Sequence, residues 1–244
     1  MKKNNKILII IVIIAIIAIA LFVANNVLNS HPADITAINI MQNSSDNVKD
    51  IKIDQGILLD GNGNNTALIF YLGAGIDYKA YIPLLTMLAQ NGIDIFLVDM
   101  PHNLPILDSD VAGDIMRNYN YSHWYMGGHS MGGSIASSYI AEHPENIDGL
   151  ILLASYPIKN LNNTNISVLS IYGSNDGVIN FENYEKNLKF IPTNFIQIII
   201  NGGNLLLKEW AKKYNTHLLK RQYRNANYQK KNVTDSIEVL ITNY

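Results

Sequence analysis

The chain has 244 residues, no Cys and a formal net charge of -2. That length holds one large domain or two small ones. The absence of Cys excludes a disulfide scaffold, a thiolate metal site and a Cys nucleophile. The near-balanced charge argues against a general nucleic-acid binder.

Met1-Lys2-Lys3-Asn4-Asn5-Lys6 precedes an unbroken apolar run from Ile7 to Ala24. A run of about 18 residues is long enough to cross a bilayer as a helix, and longer than most signal-peptide cores. The only small-x-small pair, Ala18-Ile19-Ala20, lies inside the run rather than after a polar break. The expectation is a signal-anchor over 7–24. Lys2, Lys3 and Lys6 (1–6) stay in the cytoplasm by the positive-inside rule, and everything beyond lies on the extracytoplasmic side of the cell membrane. Residues 25–34 read as a polar stalk and 35–244 as one soluble domain. Without residues 1–30 the rest carries 15 basic and 20 acidic residues, a net charge of -5.

Val48–Ile53 and Gly56–Leu59 read as short strands joined at Asp54-Gln55, an edge hairpin. Thr66–Leu72 is a continuous apolar run of strand length. Tyr78–Gln90 has helical spacing and ends at Asn91-Gly92. Strands are expected at Ile93–Val98, Trp124–Gly128, Leu150–Leu153, Val168–Tyr172 and Phe195–Ile200. Helices are expected at Asp110–Tyr119, Met131–His143, Phe181–Leu188 and Val233–Asn243. Short alternating strands and helices, with strands apolar on both faces, predict an α/β fold. It has a mostly parallel central sheet and helices on both faces. In such sheets the working residues stand in loops at the carboxyl ends of the strands.

One such loop carries a chemical motif. Gly128-His129-Ser130-Met131-Gly132 is a G-x-S-x-G between a strand and a helix, flanked by Gly127 and Gly133. That context belongs to a nucleophile elbow. The turn pushes Ser130 into the mouth of the sheet, and the first N–H groups of the helix, led by Met131, face a bound carbonyl oxygen.

With these residues the soluble part resembles the α/β-hydrolase superfamily, in its compact, lidless fold-5 form. Tyr71-Leu72-Gly73-Ala74-Gly75-Ile76-Asp77 and Ala80-Tyr81-Ile82-Pro83-Leu84-Leu85 are similar to the family's oxyanion loop and first helix. Val98-Asp99-Met100-Pro101-His102-Asn103-Leu104 is similar to its strand-end Met-Pro-x-Asn-Leu. The resemblance runs from about Asp34 to about Asn204. It implies hydrolysis of an ester-like bond through an acyl-serine on Ser130. It also implies Asp176, in Gly173-Ser174-Asn175-Asp176-Gly177, as the acid that orients a base. The second oxyanion N–H comes from Ala74 or Gly75; the sequence does not choose.

The base departs from the family's pattern. A His follows Gly-Gly-Asn in the family, whereas Asn201-Gly202-Gly203-Asn204 is followed by Leu205. Leu207-Lys208-Glu209-Trp210-Ala211 loosely echoes the family's next stretch, as if one codon had been lost. Three readings stay open. His217 reaches the site from a rearranged loop; or the domain is a degenerate hydrolase that binds without turnover; or a deletion particular to this copy lies near the Asn204 codon.

The other His residues compete poorly. His129 flanks the nucleophile, but its side chain leaves the turn in another direction. His143 precedes Pro144 at a helix end. His102, in a strand-end loop, is a weaker surrogate base. His123 and His31 read as structural or solvated. Tyr78 and Tyr81 are candidates to line the pocket, Tyr81 equally a core residue. No cluster has metal-ligand spacing, and neither cofactor nor metal is expected. The short gap from Ala154 to Ser167 leaves no room for a lid. An open mouth argues against deep burial of a long acyl chain and for a small-molecule or exposed ester. A mouth held near the membrane surface or cell wall keeps lipid or wall-linked esters open. The alternative is an inactive binding module outside the membrane.

Overall fold

The computed structural model describes residues 2–28, 31–33, 48–63, 65–201 and 221–223. The chain builds nine strands into one sheet of order β1-β2-β4-β3-β5-β6-β7-β8-β9. These are β1 Lys49–Ile53, β2 Gly56–Asp60, β3 Thr66–Tyr71, β4 Asp94–Val98, β5 His123–His129, β6 Gly149–Leu153, β7 Ser167–Gly173, β8 Phe195–Ile200 and β9 Arg221–Tyr223. From β4 through β3 to β8 every pairing is parallel. The β1–β2 hairpin joins β4 antiparallel on one side, and β9 joins β8 antiparallel on the other.

The helices are α1 Lys2–Leu28, α2 Ile82–Ala89, α3 Val111–Asn118, α4 Met131–Glu142 and α5 Phe181–Asn187. The central strands are buried along nearly their whole length, as runs such as Ala67-Leu68-Ile69-Phe70 require. Packing of α2 against β2 and β4, and of α4 against β3, β5 and β6, covers the sheet. Phe96, Tyr119, Tyr121 and Trp124 form an aromatic cluster beneath β4 and β5. Buried Asp94 is matched there by the Tyr121 hydroxyl at 2.7 Å and the Gly61 N–H at 2.9 Å.

The single helix expected over Tyr78–Gln90 is two pieces, a 3-10 turn at Tyr78–Tyr81 and then α2. Pro83 decides this. In a helix interior it would lack a donor and clash with the carbonyl four residues back; in the first turn it costs nothing. Asp77 caps the 3-10 turn by accepting the Lys79 N–H at 3.0 Å. The connection from β6 to β7 contains no helix or strand, as expected for a domain without a lid. The helix expected over Val233–Asn243 lies outside the described residues.

Along α1, the side chains from Leu8 to Phe22 that are described are exposed. Among the described residues no helix is long and apolar enough to cross a membrane. The helical backbone of α1, 27 residues, is longer than the stretch whose side chains are described.

Candidate functional site

Ser130 follows β5 and stands at the N-cap of α4 with φ 51° and ψ -121°. A non-glycine residue in this region costs of order 1–3 kcal/mol and persists only where its surroundings hold it. Three contacts hold it. Its N–H donates to the Leu153 carbonyl at 2.9 Å, and its carbonyl accepts from the Ser155 hydroxyl at 2.6 Å and the Ser134 N–H at 3.3 Å. The glycines give the room. A Cβ on Gly128 would stand 2.4 Å from Gly132 and Gly133 backbone, and one on Gly132 would stand 2.3 Å from the Tyr71 and Leu72 carbonyl oxygens. So α4 starts directly against the end of β3, and the half-buried Ser130 stands at the helix N-terminus beside Met131.

The loop after β3 supplies the opposite wall. Its N–H groups are already assigned, one by one. Gly73 donates to the Tyr81 hydroxyl at 2.7 Å, Gly75 to the Asn103 carbonyl at 2.8 Å, Ile76 to the Gly73 carbonyl at 3.1 Å and Asp77 to the His31 carbonyl at 3.0 Å. Ala74 alone in this turn has no acceptor for its N–H among the described residues, and it is half-buried where Gly75 is buried. The Gly75 N–H is thus engaged in holding the Asn103 turn.

Asp176 follows β7 and is buried. Its Oδ1 accepts the N–H groups of Val178 at 2.8 Å and Ile179 at 3.1 Å, which fixes the carboxylate. Its Oδ2 has no hydrogen-bond partner among the described residues. Since β6 lies between β5 and β7, the ends carrying Ser130 and Asp176 are about two strand spacings, ~10 Å, apart. A base between them would span that gap.

Among the described residues no His is hydrogen-bonded to Ser130. His102 is exposed, in a left-handed conformation with φ 53°. His123 pairs with Asp148 at 3.1 Å, and the ring of His143 packs on Tyr139. His31 acts through its backbone, its N–H donating to the Gly75 carbonyl at 2.7 Å. His217 lies outside the described residues. The pairing of Arg221 with Ile200, however, puts both ends of the connection containing His217 at the carboxyl end of β8, the end of the sheet that holds Ser130 and Asp176.

One feature was not legible in the sequence. His129 is buried, and its Nδ1 lies 3.0 Å from the Tyr81 hydroxyl. That hydroxyl already accepts from Gly73. Burial also holds it protonated by pushing its pKa up. With one proton and one remaining neighbour, it donates to Nδ1, and His129 is a neutral acceptor. The chain Gly73 N–H, Tyr81 O–H, His129 Nδ1 ties the loop after β3 to the elbow. Only the motif neighbourhood of His129 hinted at it.

Burial lowers the His129 pKa from 6.5 to about 4, opposed by the nearby Asp176 carboxylate. Unfolded His129 takes up a proton near pH 6.5 while the folded residue stays neutral down to about pH 4. Stability from this residue is therefore complete above the unfolded pKa and declines as the pH falls through that window, by about 3 kcal/mol in all. His129→Gln keeps an acceptor for Tyr81 and cannot titrate. It is expected to flatten the fall in Tm between pH 6.5 and 4; a profile identical to wild type would show that His129 is not buried neutral.

Residues 67–206 match the sequence model of the alpha/beta hydrolase family. No curated protein sequence matches the chain. Among solved structures, a dienelactone hydrolase from Anabaena variabilis is similar at 18% identity and a TM-score of 0.54, covering 68% of this chain and 94% of that one. A structure reported with carboxylesterases of Nitrososphaera gargenis is similar at 13% identity and a TM-score of 0.51, covering 66% and 93%. A carboxylesterase from Bacillus subtilis is similar at 9% identity and a TM-score of 0.50, covering 72% and 93%. At these identities the likeness is one of fold.

Proposed function

Because the chain belongs to the α/β hydrolase family, we propose that it is a membrane-anchored serine hydrolase. It cleaves a carboxylic ester or similar acyl bond. The observation that carries this reading is the strained Ser130 at the head of α4, facing a loop with an uncommitted N–H at Ala74. Strain of this kind has no packing purpose, and it aims a hydroxyl.

Each residue then has a role. Ser130 Oγ attacks the acyl carbon while a base takes its proton, and the carbonyl oxygen gains charge. The N–H groups of Met131 and Ala74 donate to that oxygen, and such preorganised donors are typically worth about 3–4 kcal/mol each. The C–O bond breaks and the alcohol leaves with the proton, so Ser130 carries the acyl group. Water, deprotonated by the same base, releases the carboxylic acid and restores the hydroxyl. We assign the base to His217, with Asp176 as the acid that serves it, since Oδ2 of Asp176 has no hydrogen-bond partner among the described residues. The topology of β8 and β9 supports this assignment, since the connection bearing His217 starts and ends on the site's side.

The run 7–24 within α1 is the anchor, crossing the membrane with Lys2, Lys3 and Lys6 inside and the domain on the extracytoplasmic side. The exposed apolar side chains from Leu8 to Phe22 support it. A reporter fused after Tyr244 is expected to be active only outside the cytoplasm.

A second reading, a binding module without turnover, is favoured by one observation: no described His is hydrogen-bonded to Ser130. A fluorophosphonate probe applied to the full chain in detergent micelles separates the two. Stoichiometric labelling of Ser130 is expected for the hydrolase, and no labelling of the folded protein leaves the binding module.

A further inference from the structure

The root of α1 is fastened to the catalytic face. Leu28 ends the helix, and three residues later His31 pairs with the loop after β3. The His31 N–H donates to the Gly75 carbonyl at 2.7 Å and its carbonyl accepts the Asp77 N–H at 3.0 Å. The backbone of α1 also lies against the Pro101–Asn103 turn, whose Asn103 carbonyl holds the Gly75 N–H. Three residues span at most about 10 Å even when extended. The helix end and the oxyanion loop are therefore about a nanometre apart or closer.

Most of the exposed apolar side chains described outside α1 follow strands that end on this side of the sheet. Among the described residues outside α1, the large exposed hydrophobic residues are Ile51, Ile106, Leu107, Ile158, Val178 and Phe181. Ile51 sits on the edge strand β1. The other five lie in the segments that follow β4, β6 and β7 in the chain, strands whose carboxyl ends share the side of the sheet on which β5 delivers Ser130. Apolar groups gathered on one face of a soluble domain mark a contact with another apolar phase. Here the tether names that phase. The acidic balance of the chain beyond residue 30, -5, gives no attraction to an anionic surface, so the contact is apolar insertion.

We propose that this face rests on the outer surface of the bilayer that holds α1, and that the ester cleaved is a lipid acyl ester drawn from that surface. The docking rests on the anchor reading of α1, and the substrate class rests on Ser130 as nucleophile. The hydrolysis is the one given above, with a fatty acid as the acid released and the rest of the lipid as the alcohol.

The absence of Cys permits single labelling sites. Full-length chains carrying Ile14→Cys, Ile51→Cys or Val178→Cys, labelled with an environment-sensitive fluorophore, are reconstituted in phosphatidylcholine vesicles containing doxyl lipids. The expected result is strong quenching at positions 14 and 178, and none at 51. Quenching at 178 should be unchanged between 0.1 and 1 M salt, since screening weakens only charge attraction. Quenching at 14 with none at 178 overturns the docking and leaves the anchor standing. No quenching at 14 overturns both. In the same vesicles Leu107→Ser with Ile158→Ser should lower the ratio of diacylglycerol to soluble-ester turnover about tenfold. An unchanged ratio overturns the lipid assignment, whereas loss of fluorophosphonate labelling in wild type would instead remove the hydrolase reading on which it rests.

Discussion

Ser130→Ala is expected to lower kcat/KM for a p-nitrophenyl ester by about 10³-fold or more and to abolish fluorophosphonate labelling. The expected loss follows from the role of the side chain. Without Oγ there is no acyl-enzyme, and what survives is the contribution of the Met131 and Ala74 N–H groups and of substrate binding. Such residual catalysis is on the order of 10³–10⁴ over water in triad hydrolases. The variant should keep wild-type stability, because no hydrogen bond of Oγ is removed among the described residues and the backbone bonds of Ser130 to Leu153, Ser155 and Ser134 remain. His217→Gln tests the base in the same assay. Groups that act as one unit are strongly non-additive. The double variant should therefore be no slower than the worse single one. If His217→Gln leaves kcat untouched, another residue removes the proton and the assignment of His217 falls.

Gly132→Ala should unfold the domain at a markedly lower temperature. A methyl group there would lie 2.3 Å from two backbone oxygens at the end of β3, and backbone cannot swing aside as a side chain can. The displacement must open α4 from β3, through the tightest contact in the site. Overpacking of this kind costs about 3 kcal/mol, which for a domain of this size lowers Tm by roughly 6–12 °C. Gly177→Ala serves as the control, because a Cβ at Gly177 meets nothing within 4 Å. A thermal melt in which both variants behave alike would show that the elbow has slack the geometry denies.

Some of this protein could be read from residue order alone. The apolar excess behind a mean hydropathy of +0.06 sits largely in one N-terminal run, and the remainder reads as an acidic α/β domain. Buried parallel strands must be apolar on both faces, so Thr66–Leu72 and Ile93–Val98 announced themselves within a residue or two of their observed limits. The elbow was legible because close approach of helix to strand demands glycine at fixed offsets from Ser130. The loop with Asp176 was legible by resemblance, as a short Gly-bounded turn at a strand end.

Other features depend on contacts between residues far apart in the chain, which periodicity does not record. That the Asn103 turn, which follows a different strand, takes the Gly75 N–H could not be read from residue order. The neutral state of His129 required its burial against Tyr81, 48 residues away in sequence. The helix start at Ile82 followed from a local rule, the place of Pro83, that helical spacing alone overran. The attachment of His31 to the oxyanion loop left no composition signal at all, because it is made by backbone groups that every residue carries. Side-chain pattern thus determined the sheet, the elbow and the apolar run. Only the tertiary structure decided which N–H groups are already engaged, and that His31, just beyond α1, pairs with the loop after β3.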